Sequence, residues 1–129
     1  METPTVEIQI GDFDRERWVS MDALVDPGRF MTAVPGSVLH CLNIVPTDTR
    51  RVRFAGGKEA REMDIGYAWV RLEGKEAILQ VLFNDEGTQP VIGWFGLDGL
   101  FLEFDPDTKR FTPKVGLLPS LWPVSGKEQ

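Results

Sequence analysis

Ala23-Leu24-Val25-Asp26-Pro27-Gly28 puts a carboxylate at the end of an apolar strand, directly before a Pro-Gly turn. A charge in that place is costly unless neighbouring groups stabilise it. Turn amides after the Asp, such as that of Gly28, are suited to hydrogen-bond the carboxylate. Asp-Pro-Gly is also a common turn, and an Asp that merely caps the turn accounts for these six residues by themselves. Upstream, Trp18 to Asp26 alternates: Val19, Met21, Ala23 and Val25 share one face, opposite Ser20, Asp22 and Asp26. Val6, Ile8 and Ile10 alternate with Glu7 and Gln9 in a half-buried first strand. The polar bridge Gly11 to Asp14 makes the two strands a hairpin.

Outward from that hairpin the chain reads as short strands with few helices. Its 129 residues, 42% hydrophobic, suffice for one domain and not for two, so residues 1–129 are read as a single domain with a polar tail from about Ser125. The 13 Gly and 9 Pro are spread along its length. Pro35, with Val38, Leu39 and Leu42 at helical spacing and Asn43 as a stop, predicts a helix over 36–42 carrying His40 as a surface residue and Cys41 as a small core filler. Val52 and Phe54 alternate with Arg51 and Arg53, and Gly56-Gly57 marks a hairpin tip. The strand returns through Met63, Ile65, Tyr67 and Trp69, with apolar residues on both faces after Gly66, which places it centrally. Glu73-Gly74 is a tight turn and Ala77 to Phe83 another apolar strand. After the polar loop Asn84 to Pro90 comes the buried run Val91-Ile92-Gly93-Trp94. A helical turn over 97–99, a strand through Leu100, Leu102 and Phe104, the turn Asp105-Pro106-Asp107-Thr108 and a last hairpin closed by Phe111 complete the chain. Core packing is expected for Trp69 and Trp94. Trp18 and Trp122 are candidates for an interface, the latter in the apolar tail Leu117 to Pro123.

Composition narrows the function. A net charge of −6 disfavours nucleic acid and anionic membranes, whose binding needs clustered cations. One Cys and one His exclude a zinc site built mainly from those residues, and the single Cys excludes an internal disulfide. No metal and no cofactor are expected. No apolar stretch approaches the roughly 20 residues of a spanning helix, and Met1 to Pro4 lacks a signal's basic region, so a cytoplasmic protein is the expectation. Carboxylates are the plentiful reactive groups. Asp22 and Asp26 lie on one strand face about 13 Å apart, too far for a dyad. Gly93, Gly96 and Gly99 do not form a dinucleotide fingerprint. Arg50, Arg51 and Arg53 form a basic edge, of the kind that protects an edge strand.

The order of these features resembles the retropepsin-like, single-lobe aspartic proteases over roughly Val6 to Val115. Ala23 to Gly28 is similar to the family's apolar-Asp-Thr-Gly motif. Gly56-Gly57 stands at the flap tip, and Pro90-Val91-Ile92-Gly93 is similar to the apolar-apolar-Gly motif that packs behind the catalytic loop. Leu97 and the run Leu100 to Pro106 resemble the C-terminal part of bacterial members. The resemblance implies a mainly β fold, a closed acid-protease-type barrel with one or two short helices. It implies an endopeptidase working as a homodimer, with Asp26 from each copy meeting at the two-fold axis. Two such carboxylates share a proton; one activates a water while the other polarises the scissile carbonyl. The partners implied are a second copy and an extended peptide or protein segment, paired like an added strand. Two departures bear on activity. Pro27 replaces the family's Thr and offers neither hydroxyl nor N–H for the grip across the axis. Arg29 replaces a small residue, and a guanidinium turned towards Asp26 favours two ionised carboxylates, which cannot hold the proton the chemistry needs. A catalytically silent, peptide-binding dimer of the same fold is the alternative, and an unrelated small β-barrel with a turn-capping Asp26 is a third.

Overall fold

The computed structural model describes residues 4–54 and 56–119. The first hairpin pairs β1 (Thr5–Gly11) with β2 (Trp18–Asp26), antiparallel, with Ile8 opposite Met21 and Gly11 opposite Trp18. Its turn is held by the Asp12 carboxylate, which accepts the N–H groups of Glu16 at 2.8 Å and Arg17 at 3.2 Å. Gly11 is there because the Trp18 ring lies over it: a Cβ would sit 2.7 Å from the ring.

The remaining strands are β3 (Ala33–Pro35), β4 (Asp48–Val52), β5 (Arg61–Leu72), β6 (Lys75–Asn84), β7 (Val91–Gly93), β8 (Leu102–Asp105) and β9 (Arg110–Pro113). The main sheet runs β1-β2-β7-β3-β6-β5-β4, and β1 also pairs with β5. That extra pairing, Gln9 to Gly11 against Arg71 to Trp69, closes six strands into a barrel and leaves β4 outside as half of the β4–β5 hairpin. The barrel is mixed, because β2–β7 and β3–β6 are parallel and the other pairs antiparallel. β8 and β9 form a separate hairpin. Closure leaves the six barrel strands without an open edge, while β4 keeps its outer one. Among the described residues no helix is long and apolar enough to cross a membrane.

Ile8, Ile10, Val25, Val34, Leu39, Val70, Val81 and Ile92 fill the interior, each contributing roughly 1.5–3 kcal/mol by burial. A second cluster, Ala33, Met63, Ile65 and Leu82, lies on the other side of β5 and β6. This explains the two apolar faces of β5. Up to Ile65 the odd-numbered face is covered by the second cluster; from Gly66 on, the even-numbered face lines the barrel, while Tyr67 is exposed and Trp69 only half-buried. Gly66 has no room for a side chain, with the Phe83 ring and the Val45 carbonyl each 3.0 Å from where a Cβ would be. Glu73 and Gly74, at φ 52° and 76°, turn β5 into β6 in two residues.

Helix α1 (Gly36–Cys41) stops at Asn43, whose φ of 60° ends it. Cys41 is exposed, not a core filler, because Leu39 and Leu42 take the inward face. Trp94 is not a buried strand residue either. It opens α2 (Trp94–Gly99), three residues earlier than its sequence suggests, and is exposed; Leu100 caps that helix rather than starting a strand. Phe54 likewise lies beyond the end of β4. Trp122 and the polar tail from Ser125 lie outside the described residues.

Helix α1 has no cap from its own N-terminal residue. The Glu86 carboxylate, from the β6–β7 loop, accepts the Ser37 backbone N–H at 2.9 Å and the Ser37 hydroxyl at 2.5 Å. These bonds hold Glu86 below the usual carboxylate range. A carboxylate depressed in the folded state stabilises above its unfolded pKa, and that stabilisation is lost as pH falls through the folded value. Glu86→Gln is therefore expected to lower the melting temperature at neutral pH. The difference from wild type should shrink once the pH drops below the ordinary glutamate range, which melts recorded by circular dichroism across that range will show.

Candidate active-site cleft

Asp26 ends β2, and the next six residues cross to β3. Its Oδ1 accepts the Gly28 N–H at 3.2 Å, and its carbonyl accepts the Arg29 N–H at 3.0 Å, so Asp26-Pro27-Gly28-Arg29 is a closed turn. Pro27 sits second in it, where a fixed φ suits the turn.

The loop is fixed from behind by β7 and the start of α2. Asp26 is in register with Gly93 on the parallel strand β7. A Cβ on Gly93 would stand 2.6 Å from the Met31 carbonyl oxygen and 2.7 Å from that of Arg29. Only a bare backbone fits there. The Trp94 N–H donates to the Arg29 carbonyl at 2.8 Å and the Phe95 N–H to that of Phe30 at 3.3 Å. Thr32, 3% exposed, accepts the Gly93 N–H on its hydroxyl at 3.3 Å. Val91 and Ile92 carry this support: Ile92 is fully buried in the main core, and Val91 pairs with both Leu24 and Ala33.

In front of the loop opens a cleft of about 400 Å³, lined by Asp26, Arg29, Phe30, Val52, Arg53 and Phe54 among others. It lies between the Asp26 loop and the β4 strand of the outer hairpin. Among the described residues Asp26 is its one carboxylate; the remaining charges of its lining are Arg29, Arg51 and Arg53. The Asp26 side chain is 40% exposed, so solvent reaches it, and Nε of Arg29 lies 3.8 Å from its Oδ2. The orientation of Arg29 that composition left open is thus towards the carboxylate. Gly56 and Gly57 lie at the end of the hairpin, exposed and outside the cleft lining; the Gly57 N–H donates to the Phe54 carbonyl at 2.9 Å, and Gly56 has φ 82°, which only glycine adopts without strain. A larger hollow, about 600 Å³, lies by Pro4 to Val6 and Phe111, away from the Asp26 loop. Among the described residues no group of three His, Cys, Asp or Glu side chains is placed to hold a metal ion.

Solved structures place this architecture. The chain superposes on the retroviral protease-like domain of Ddi1 from Leishmania major with a TM-score of 0.56, at 16% identity over 88% of this chain and 89% of that one. The fold is retropepsin-like. The simian foamy virus (mac) protease gives 0.53 at 18% identity, covering 74% of this chain and 92% of its own. The EIAV protease, complexed with the inhibitor HBY-793, gives 0.50 at 14% identity, covering 75% and 86%. No family model matches the sequence, and a search of curated proteins finds no match. The retropepsin-like barrel thus stands on its backbone, at identities where sequence comparison alone is silent.

Beyond Asp26, Arg29 and Val91, the residues lining the cleft escaped the sequence, among them Phe30, Met31, Ala33, Leu82 and Asn84 from the loop, β3 and β6. Nothing in their local pattern marks them, since the crossing of β3 between β6 and β7 brings them together. The Thr32 hydroxyl bond behind the loop depends on the same crossing. Gly93→Ala is expected to force the Arg29–Met31 backbone away from α2 and to cost about 1–3 kcal/mol, read as a lowered midpoint in urea unfolding. Gly56→Ala meets no atom within 4 Å but keeps its positive φ, and should cost only about 1 kcal/mol.

Proposed function

We propose that the chain is an aspartic endopeptidase of the retropepsin type that works as a homodimer, with activity reduced by Pro27 and Arg29. The observation that carries this is the placement of Asp26: a solvent-reached carboxylate at a strand end, backed by Gly93 and opening on a cleft beneath an outer hairpin, in a retropepsin-like barrel. One lobe offers one such carboxylate, and the chemistry takes two, so the second must come from another copy. The same loop, together with the start of α2, carries an exposed aromatic cluster in support of a covering partner. Phe30, Trp94 and Phe95 are 45%, 40% and 49% exposed, and the Phe30 ring centroid is 5.1 Å from that of Trp94 and 4.9 Å from that of Phe95. Large apolar rings left open beside a polar loop are characteristic of association surfaces.

In the dimer the ionised Asp26 takes a proton from a water that attacks the scissile carbonyl. The protonated Asp26 of the other copy donates to the carbonyl oxygen, and the amine leaves with a proton returned from the pair. The peptide lies extended along β4, bonded through its backbone, and the β4–β5 hairpin shields it from water. A second reading has a specific observation in its favour. The Arg29 guanidinium stands 3.8 Å from the Asp26 carboxylate, a counter-charge beside it in the cleft, and Pro27 leaves its place in the loop without a hydroxyl or an N–H donor. On that reading the dimer binds peptides and does not cleave them.

The two are separated by sedimentation analysis followed by cleavage of a peptide library between about pH 3 and pH 7. The proposal expects a dimer with slow cleavage favoured at acidic pH. Asp26→Asn should lower kcat by at least about 10²-fold, and Pro27→Thr combined with Arg29→Ala should raise it. A confirmed dimer that cleaves nothing leaves the binding role alone, and a strictly monomeric chain removes both.

A further inference from the structure

We infer that the cleft selects extended peptide segments carrying acidic side chains, which resident arginines recognise. The inference rests on the peptide-groove reading above and names the substrate class for it. The whole chain has a net charge of −6, yet the cleft lining holds three arginines and one carboxylate. Arg29 comes from the Asp26 loop, whereas Arg51 and Arg53 come from β4 and its continuation. Two separate elements thus bring like charge to one opening, which shielding of a single edge strand does not require.

Of the arginines around the cleft, Arg29, Arg50 and Arg61 stand beside carboxylates, and Arg51 and Arg53 are the pair that among the described residues do not. Arg50 is 2.9 Å from Asp48, and Arg61 is 2.6 Å from Asp85 and lies over the Phe54 ring at 5.2 Å. Among the described residues neither Arg51 nor Arg53 has a carboxylate within 4.0 Å, although Glu62 stands opposite Arg51 in the β4–β5 register. Both are exposed. In sequence they alternate with Val52 and Phe54, which also line the cleft, although β4 itself ends at Val52. The cleft wall thus offers apolar and arginine side chains in turn to an occupant along it. An extended peptide alternates its side chains in the same way, so apolar and acidic residues at alternate positions are complementary to it. A polyanion such as RNA gains only from the arginines and is repelled by the rest of an acidic chain.

Fluorescence anisotropy with the full-length Asp26→Asn protein tests this without cleavage. The probe is a fluorescein-labelled peptide of about ten residues alternating leucine with glutamate, beside counterparts with glutamine or lysine in place of glutamate. The glutamate peptide should bind about tenfold more tightly than the glutamine one, as expected of two or three rim charges, and the advantage should fade at high salt. Arg51→Gln with Arg53→Gln, both exposed and without a carboxylate partner among the described residues, should bring the glutamate peptide's affinity down to that of the glutamine one. Equal binding of all three peptides, or an advantage that survives the double substitution, overturns acidic selection and leaves the peptide groove standing. If no peptide binds, the groove reading falls and this inference with it. Tighter, Arg51- and Arg53-dependent binding of a labelled oligouridylate overturns the peptide class.

Discussion

Backbone against backbone at Gly93 is the contact on which the site depends. The carbonyls of Arg29 and Met31 come so close to this residue that no side chain fits between them. Because β7 is parallel to β2 and in register with it, the same contact sets where Asp26 leaves the sheet. The N–H groups of Trp94 and Phe95 and the Thr32 hydroxyl then bind the loop at successive positions. A carboxylate held this way keeps its place without a buried counter-ion, and burying one is costly.

Closure of the barrel serves that contact from a distance. β3 and β7 are only three residues each, too short to persist alone. They persist because β2 and β6 flank them and because β1 meets β5 on the far side. The long β5–β6 hairpin provides one wall, and β4 pairs with the outer part of β5. The second apolar cluster, Met63 and Ile65 with Ala33 and Leu82, joins the root of the hairpin to the floor beside Asp26. The hairpin is thus packed at its base and paired strand to strand as far as Val52.

Much of this was legible along the chain, since period-two alternation marks half-buried strands and turn chemistry is local. The β1–β2 hairpin, the Glu73-Gly74 turn and the stop at Asn43 follow from nearest neighbours. Three misjudged residues have a common cause. Cys41, Trp94 and Phe54 are apolar, and apolarity alone suggests burial; each is exposed because another side chain holds the inward position or because its element ends beforehand. The two apolar faces of β5 were visible, but not that they serve two different clusters.

The sequence by itself determined the strands, their turns and the carboxylate at the end of β2, because each depends on residues adjacent in the chain. Only the tertiary structure decided that Arg29 faces Asp26 and that Arg51, Arg53 and Phe54 share the cleft with it. The cleft placements arise from the crossing of β3 and β7 and from the closure of β1 on β5, which join positions tens of residues apart, whereas Arg29 meets Asp26 within one four-residue turn that this crossing backs. Long-range pairing fixes the direction of a side chain through backbone geometry, and no local pattern of residue types encodes it.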